Sequence, residues 1–259
     1  MEHSPWIEKY RPSKFEDIVL DDYNKIILNN IISKNTFPNI LFYGPPGTGK
    51  TTTIINLIKK YQKRYSETTK GLVIHLNASD DRGIDVIRNQ IYQFVHTRGL
   101  FGPGVKFVIL DEADYMTTNA QQALKNLIQK YNKNVKFCLI CNYISRLETS
   151  LQNEFIKLHF NKLPHDKIYA YLKNIIKREN ILVSKKSLLS VQQYFKSDIR
   201  SMINYIQANN KNININIITS STWDNITEYI ITNRKNPKAS INYITEKSLF
   251  YNQDINTFL

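Results

Sequence analysis

Four short apolar runs, each closed by polar, glycine or proline residues, mark out the first part of the chain: Asn39–Tyr43, Gly71–Leu76, Val105–Leu110 and Val135–Asn142. They are rich in β-branched and aromatic residues, which predicts strands. Between them the apolar period changes to that of a helix. Ile84, Ile87, Ile91 and Phe94 recur on one face, and so do Ala120, Ala123, Leu124, Leu127 and Ile128. Strands alternating with helices predict a parallel α/β sheet covered on both faces. After Phe160 no strong strand run follows. Ile168, Tyr171, Leu172, Ile175 and Ile176 repeat at helical spacing, and Ser187–Phe195 and Asp198–Ala208 read as two more helices. Residues 210–221 are rich in Asn, Ile and Ser and read as a linker, and the tail has room for two helices, the second around Ser240–Phe250. The expected organisation is therefore a large α/β domain over residues 1–161, a small helical domain over 162–210, and a linker with partial helical structure over 211–259.

Composition changes this picture in two ways. Lys and Arg outnumber Asp and Glu by 35 to 22, a formal charge of +13, which favours a polyanionic partner, nucleic acid first and an anionic membrane second. The abundance of Asn, Ile and Lys, as AT-rich coding would give, also accounts for a basic surface with no such partner. The second change concerns location. No run is long and apolar enough for a membrane span and no signal peptide opens the chain, so an intracellular, soluble protein without a membrane partner is expected. The two cysteines, Cys138 and Cys141, lie inside an apolar run with no helix start or further ligands beside them, which reads as core rather than a redox or zinc motif.

The chemistry is concentrated in two places. Gly44-Pro45-Pro46-Gly47-Thr48-Gly49-Lys50-Thr51, followed by Thr52, matches G-x-x-x-x-G-K-[ST] after a strand and before a helix. Glycines there let backbone N–H groups curl around phosphates, and the helix N-terminus adds a favourable dipole. Lys50 is expected on the terminal phosphates and Thr51 on Mg²⁺. Asp111-Glu112-Ala113-Asp114 closes the strand Phe107–Leu110. In this arrangement Asp111 is expected to hold Mg²⁺ and Glu112 to polarise the attacking water, with MgATP as the bound nucleotide.

Taken with Trp6-Ile7-Glu8-Lys9-Tyr10-Arg11-Pro12, Leu76-Asn77-Ala78-Ser79-Asp80-Asp81-Arg82-Gly83-Ile84-Asp85, Arg88-Asn89-Gln90-Ile91, Thr97-Arg98, Phe101 and Phe137–Tyr143, these motifs make the sequence resemble a small subunit of replication factor C, the eukaryotic and archaeal sliding-clamp loader of the AAA+ kind. The resemblance is dense from Pro5 to about Tyr143, weaker to Ile206, and fades beyond. It implies an AAA+ nucleotide-binding domain, a helical lid and a shortened helical collar. It further implies that Tyr10, Arg11 and Pro12 wrap the adenine and ribose, that Asn142 is sensor 1, and that Arg200, in Ser197-Asp198-Ile199-Arg200, is sensor 2. Arg82 resembles a residue that restrains Glu112 until DNA arrives, and a loop salt bridge is an equal reading of it. Arg88 and Lys125, at expected helix starts, would contact the DNA backbone. Gln90–Phe101 resembles the clamp-facing edge, with Ile91, Phe94 and Phe101 as anchors, though Ile91 and Phe94 also belong to the core-facing stripe.

Two departures stand out. Where the family carries Ser-Arg-Cys, whose arginine completes the neighbouring subunit's ATP site, this chain has Leu151-Gln152-Asn153-Glu154-Phe155, with Glu154 in the arginine's place. Arg146 aligns instead with a family lysine. The stretch Thr222–Leu259 also offers fewer helices than the family's collar. The implied function is ATP-dependent loading of a sliding clamp onto primer–template DNA within a hetero-oligomer of clamp-loader subunits, in the nucleus or at a cytoplasmic replication site if the source is viral. The alternatives are an ATP-binding regulatory or scaffold subunit without useful turnover, and another AAA+ replication remodeller such as an initiator or helicase loader.

Overall fold

Each apolar run in the first part of the chain becomes a strand of one sheet. A computed structural model describes residues 4–65, 72–79, 83–96, 105–210 and 220–251. The chain divides into two units, Arg11–Pro164 and a second that groups the residues up to Tyr10 with those from His165 onward.

After a single helical turn, α1 (Trp6–Lys9), the α/β unit begins, with α2 (Asp22–Ser33), β1 (Ile40–Tyr43), α3 (Lys50–Arg64), β2 (Val73–Asn77) and α4 (Gly83–His96). It continues with β3 (Lys106–Asp111), α5 (Thr118–Tyr131), β4 (Val135–Cys141), the short α6 (Thr149–Gln152) and β5 (Ile156–His159). The sheet order is β2-β3-β4-β1-β5, and every pairing is parallel. Four of these elements, α1, α2, α6 and β5, have no counterpart in the sequence reading. Helix α2 starts at Asp21, whose carboxylate accepts the Asn24 N–H at 2.9 Å as an N-cap. Strand β5 is a four-residue edge strand in which only Leu158 is buried, too short for its alternation to stand out.

Side chains alternate faces along each strand, so the sheet has two cores. Phe42, Ile109 and Ile140 face α2 and α3, packing with Leu28, Leu57 and Ile58. Leu41, Val108 and Leu139 face the other way, with Ile91 of α4 and Leu124 and Ile128 of α5. The two cysteines, both free thiols, fall on opposite faces of β4. Burial pushes both thiols up, and with the Asp114 charge nearby Cys141 reaches about 12. The folded protein is therefore expected to react negligibly with a thiol-specific reagent at pH 8, and both cysteines of the sequence should titrate once it is denatured. Reaction of either thiol in the folded state would show that β4 opens far more readily than its burial implies.

Parallel register brings the strand C-termini to one edge. Asn77 is aligned with Asp111, and Tyr43 with Cys141. The residues that follow these strands meet there, outside the carboxyl ends, where open parallel sheets hold ligands.

The second unit is helical: α1, α7 (His165–Arg178), α8 (Lys185–Phe195), α9 (Ile199–Ala208), α10 (Ser220–Thr232) and α11 (Pro237–Tyr251). Ser184 and Asp198 cap α8 and α9 by accepting the N–H groups of Ser187 and Ser201, each at 3.0 Å. The residues before Arg11 join this unit through specific bonds. The Trp6 N–H donates to Gln207 Oε1 at 2.9 Å, Lys9 Nζ lies 2.5 Å from Glu179 Oε1, and the Tyr10 hydroxyl donates to the same carboxylate. Helices α10 and α11 form a hairpin around Ile226 and Ile244, with the Tyr229 and Tyr243 rings stacked at 4.0 Å. Among the described residues, no helix is long and apolar enough to cross a membrane.

Candidate nucleotide site

The loop between β1 and α3 is fixed by backbone geometry that only glycine provides. Gly44 has φ +138°, and a Cβ there would sit 1.9 Å from the Phe160 carbonyl oxygen. Gly49, at φ +87°, turns the chain into α3. The Thr48 hydroxyl ties the loop to itself by donating to the Pro45 carbonyl at 2.9 Å. No acidic residue occupies the first turn of α3, so its positive dipole end is open to an anion.

Lys50 is the first residue of α3 and is buried. Its Nζ donates to the carbonyls of Gly44 and Pro45 at 2.7 and 2.8 Å, and to Asn142 Oδ1 at 3.0 Å. Asn142 follows β4, so one lysine spans the loop after β1 and the turn after β4. The Thr51 hydroxyl donates to Asp111 Oδ2 at 2.7 Å, which joins the start of α3 to the end of β3. Four of the sequence-predicted residues, Lys50, Thr51, Asp111 and Asn142, are thus brought together in pairs.

Burial pushes the Asp111 carboxyl up, but the His75 imidazole, the Thr51 hydroxyl and the Glu112 N–H outweigh it and hold Asp111 below the usual range. The Thr51 and Glu112 bonds, 2.7 and 2.9 Å long, are direct. His75 Nε2 stands 3.8 Å from Oδ2, too far for a hydrogen bond. A carboxylate kept ionised beside a threonine hydroxyl is a donor set suited to a hard cation. Glu112 has φ +54°, a left-handed conformation that is strained for a non-glycine residue. Its N–H donates to Asp111 Oδ1 and its carbonyl accepts the Tyr115 N–H at 3.0 Å, so the strained turn is held from both sides.

Arg11 and Pro12 lie against the same helix. Arg11 Nε donates to the Thr52 hydroxyl at 3.3 Å, and the Pro12 carbonyl accepts from Asn56 Nδ2 at 2.9 Å. Tyr10 belongs to the helical unit, where its carbonyl accepts from the Tyr171 hydroxyl at 2.7 Å. Arg200 is the second residue of α9 and is exposed.

Other expected residues fall differently. Arg82 and Phe101 lie outside the described residues, as does the side chain of Arg88. Neither Arg88 nor Lys125 is at a helix start. Helix α4 begins at Gly83 and α5 at Thr118, because Thr117 caps α5 a full turn before Gln121, and Lys125 stands two turns in and half-buried. Ile91 is buried in the core and offers no apolar surface to a partner, while Phe94 packs partly against the same cluster. Tyr92, between them, is half-exposed and its ring lies tilted against that of His96, centroids 3.7 Å apart.

Two buried polar side chains organise the turn after β4 and escaped the sequence reading. Asp114 accepts the N–H groups of Asn142 and Tyr143 at 3.3 and 3.4 Å. Gln121 of α5 donates to the carbonyls of Met116 and Arg146, both at 3.1 Å, and accepts the Glu148 N–H at 2.7 Å. The available signal for Gln121 was a glutamine next to the apolar stripe that starts at Ala120.

A glycine-built phosphate loop, a lysine reaching across to the next strand, and a threonine–aspartate pair, all at one edge of a parallel sheet, define the nucleotide-binding domain of a P-loop ATPase. Residues 40–162 match the model of the ATPase family associated with various cellular activities. The chain is 43% identical over 204 residues to replication factor C subunit 3 of Schizosaccharomyces pombe, covering 79% of this chain and 59% of that protein. It is 39% identical over 206 residues to replication factor C subunit 5 of Homo sapiens, covering 80% and 60%. Against replication factor C small subunit 2 of Pyrobaculum islandicum it is 36% identical over 226 residues, covering 87% and 67%. The chain belongs to the replication factor C small-subunit family. It spans about three-fifths of the length of the first two of these relatives.

Proposed function

We propose that this chain is an ATP-dependent clamp-loader subunit that helps to place a sliding clamp on primer–template DNA, inside a hetero-oligomer of related subunits. The observation that carries the reading is the joining of Lys50 to Asn142 and of Thr51 to Asp111, in a chain of this family. Gly44 to Thr52 cradle the phosphates, and Arg11 and Pro12, held against α3 through Thr52 and Asn56, wrap the adenine and ribose. A magnesium ion, when bound, would be held by Thr51 and Asp111 and would offset phosphate charge. Glu112 polarises the attacking water, Asn142 orients that water near the terminal phosphate, and Lys50 stabilises the charge that develops there. The roles given to Tyr10 and Arg200 in the helical unit, to Arg82 and Arg88 on DNA, and to Phe94 and Phe101 on the clamp rest on the family resemblance. In a eukaryotic source the site of action is the nucleus.

One observation favours a second reading, a nucleotide-binding scaffold subunit without useful turnover. Glu154, in the place of the family's arginine, is engaged at home by Gln129, whose Nε2 donates to Glu154 Oε1 at 2.7 Å. ATPase assays of the chain combined with related small subunits, with and without primed DNA and a sliding clamp, separate the readings. The loader reading requires turnover that rises with DNA and responds to the clamp. Turnover indifferent to the clamp would indicate another remodeller, and turnover unchanged by the presence of this chain would indicate a scaffold. DNA binding should weaken steeply with salt and depend little on sequence, and Lys125→Ala should flatten the salt slope by about one unit.

A further inference from the structure

Two of the most exposed aromatic side chains of the α/β unit share one arginine. Tyr115 is 59% exposed and Tyr143 61%. The Arg146 guanidinium carbon lies 5.8 Å from the first ring centre and 5.1 Å from the second. Scattered exposed tyrosines need no explanation, but two rings gathered around one cation do. Arg146 is exposed and has no carboxylate within ion-pair reach among the described residues. Among the described residues, nothing neutralises its charge.

The backbone beneath the group is also anchored. The Tyr115 N–H donates to the Glu112 carbonyl at 3.0 Å, and the Tyr143 N–H to Asp114 at 3.4 Å. The Arg146 N–H donates to the Tyr143 carbonyl at 3.2 Å, and the Arg146 carbonyl accepts from Gln121 at 3.1 Å. Three side chains rise from anchored turns, so the backbone part of the ordering cost is already met in the free protein. Helix α5 starts at Thr118, three residues past Tyr115, with no acid in its first turn, and so adds a positive dipole end.

We infer that Tyr115, Tyr143 and Arg146 form a stacking platform for an unpaired base of a single-stranded nucleic acid, with Arg146 on the adjoining phosphate. A flat, exposed tyrosine ring offers every base a π-face whatever its identity, and an arginine beside it supplies the charge that follows the backbone. The net charge of +13 makes a polyanion the complementary occupant. The platform rests on the reading of the chain as a DNA-responsive subunit and extends it, from contacts along a duplex backbone to a seat for a strand with free bases. It also stands at the chemistry. Tyr115 lies three residues after Glu112, and Tyr143 directly follows Asn142, so a strand seated there bears on the two turns that carry the catalytic groups.

The test measures binding of the full chain at low salt to a fluorescein-labelled oligothymidylate, to an abasic oligomer with the same number of phosphates, and to a primer–template duplex. The unmodified chain should prefer the base-bearing strand to the abasic one by about ten-fold. Tyr115→Ala and Tyr143→Ala should each remove most of that preference and leave abasic binding nearly unchanged. The Tyr→Phe variants, which keep the ring, should bind as the unmodified chain does. Arg146→Ala should weaken both single strands and flatten the salt slope by about one unit. The comparison of base-bearing with abasic strand needs no variant, so it stands even if a truncation disturbs folding. Equal affinity for the two strands, beside intact salt-dependent duplex binding, overturns the platform alone. Failure to bind any of the three DNAs overturns the platform together with the DNA reading beneath it.

Discussion

Replacing Lys50 by alanine is expected to abolish measurable MgATP binding, while Glu112→Gln preserves binding and stops turnover. The difference follows from what each side chain does in the resting site. Lys50 is a buried cation whose hydrogen bonds at 2.7, 2.8 and 3.0 Å converge on the loop after β1 and the turn after β4. Hydrogen bonds to a charged group are worth roughly 1.5–3 kcal/mol each, so trading them for contacts with bound phosphate is feasible, whereas deleting the charge is not. Removing it leaves negatively charged phosphates facing carbonyl oxygens, and a loss of about 100-fold or more in affinity follows. Among the described residues, Glu112 makes no side-chain bond that holds the loop, and its strained backbone is secured by its own N–H and C=O, so the amide variant should keep the turn. Titration calorimetry with MgATP and steady-state hydrolysis measure the two effects separately. Lys50→Ala binding ATP like the parent, with an unchanged melting temperature, would remove the basis for placing the nucleotide in this loop.

The same turn yields a smaller corollary. A left-handed conformation costs a non-glycine residue about 1–3 kcal/mol. Glu112→Gly should therefore be tolerated or even raise the melting temperature while remaining inactive, the pattern expected when strain is kept for function rather than for stability.

How much of this could be read from the sequence depended on whether a feature is local. The loop Gly44–Thr51 was legible because glycines at fixed offsets have a geometric reason: a Cβ on Gly44 would strike the Phe160 carbonyl. The first four strands were legible because each is a closed apolar run. Strand β5 was not, since an edge strand of four residues with one buried side chain has no period to detect. The bonds that set the site were the least visible. Asp114 sat in plain view in Asp111–Asp114, yet its partners, the N–H groups of Asn142 and Tyr143, come from the next strand's turn. The misplacement of Lys125 had a different origin: a charged residue was taken for a helix start, while Thr117 had already capped the helix. Ile91 and Phe94 fit both a core-facing stripe and a partner surface, and burial of Ile91 gives that position to the core.

The largest effect on rate should come from Glu154. A ring made only of this chain would place a carboxylate at every shared site where the family supplies arginine. An arginine in that position is typically worth 10³–10⁵ in rate, roughly 4–7 kcal/mol of transition-state stabilisation. A carboxylate supplies none of this and repels developing phosphate charge. The isolated chain should therefore bind ATP, because Lys50, Thr51 and Asp111 are in place, yet hydrolyse it very slowly. Glu154 lies in the turn between α6 and β5, where Gln129 holds its carboxylate, so Glu154→Arg replaces a half-exposed side chain and should fold. In a self-associating preparation that variant should raise turnover by orders of magnitude. Mixing the unmodified chain with arginine-bearing small subunits should activate its own site in the same way, since what is missing is supplied by a neighbour. The subunit would then receive an arginine but give none, which assigns it a place beside a site that does not need to hydrolyse. Single-turnover hydrolysis by the chain alone, by Glu154→Arg and by the mixture settles the matter. Brisk, DNA-stimulated turnover by the unmodified chain alone would show that another arginine, Arg146 being the exposed one nearest in sequence, completes the site instead.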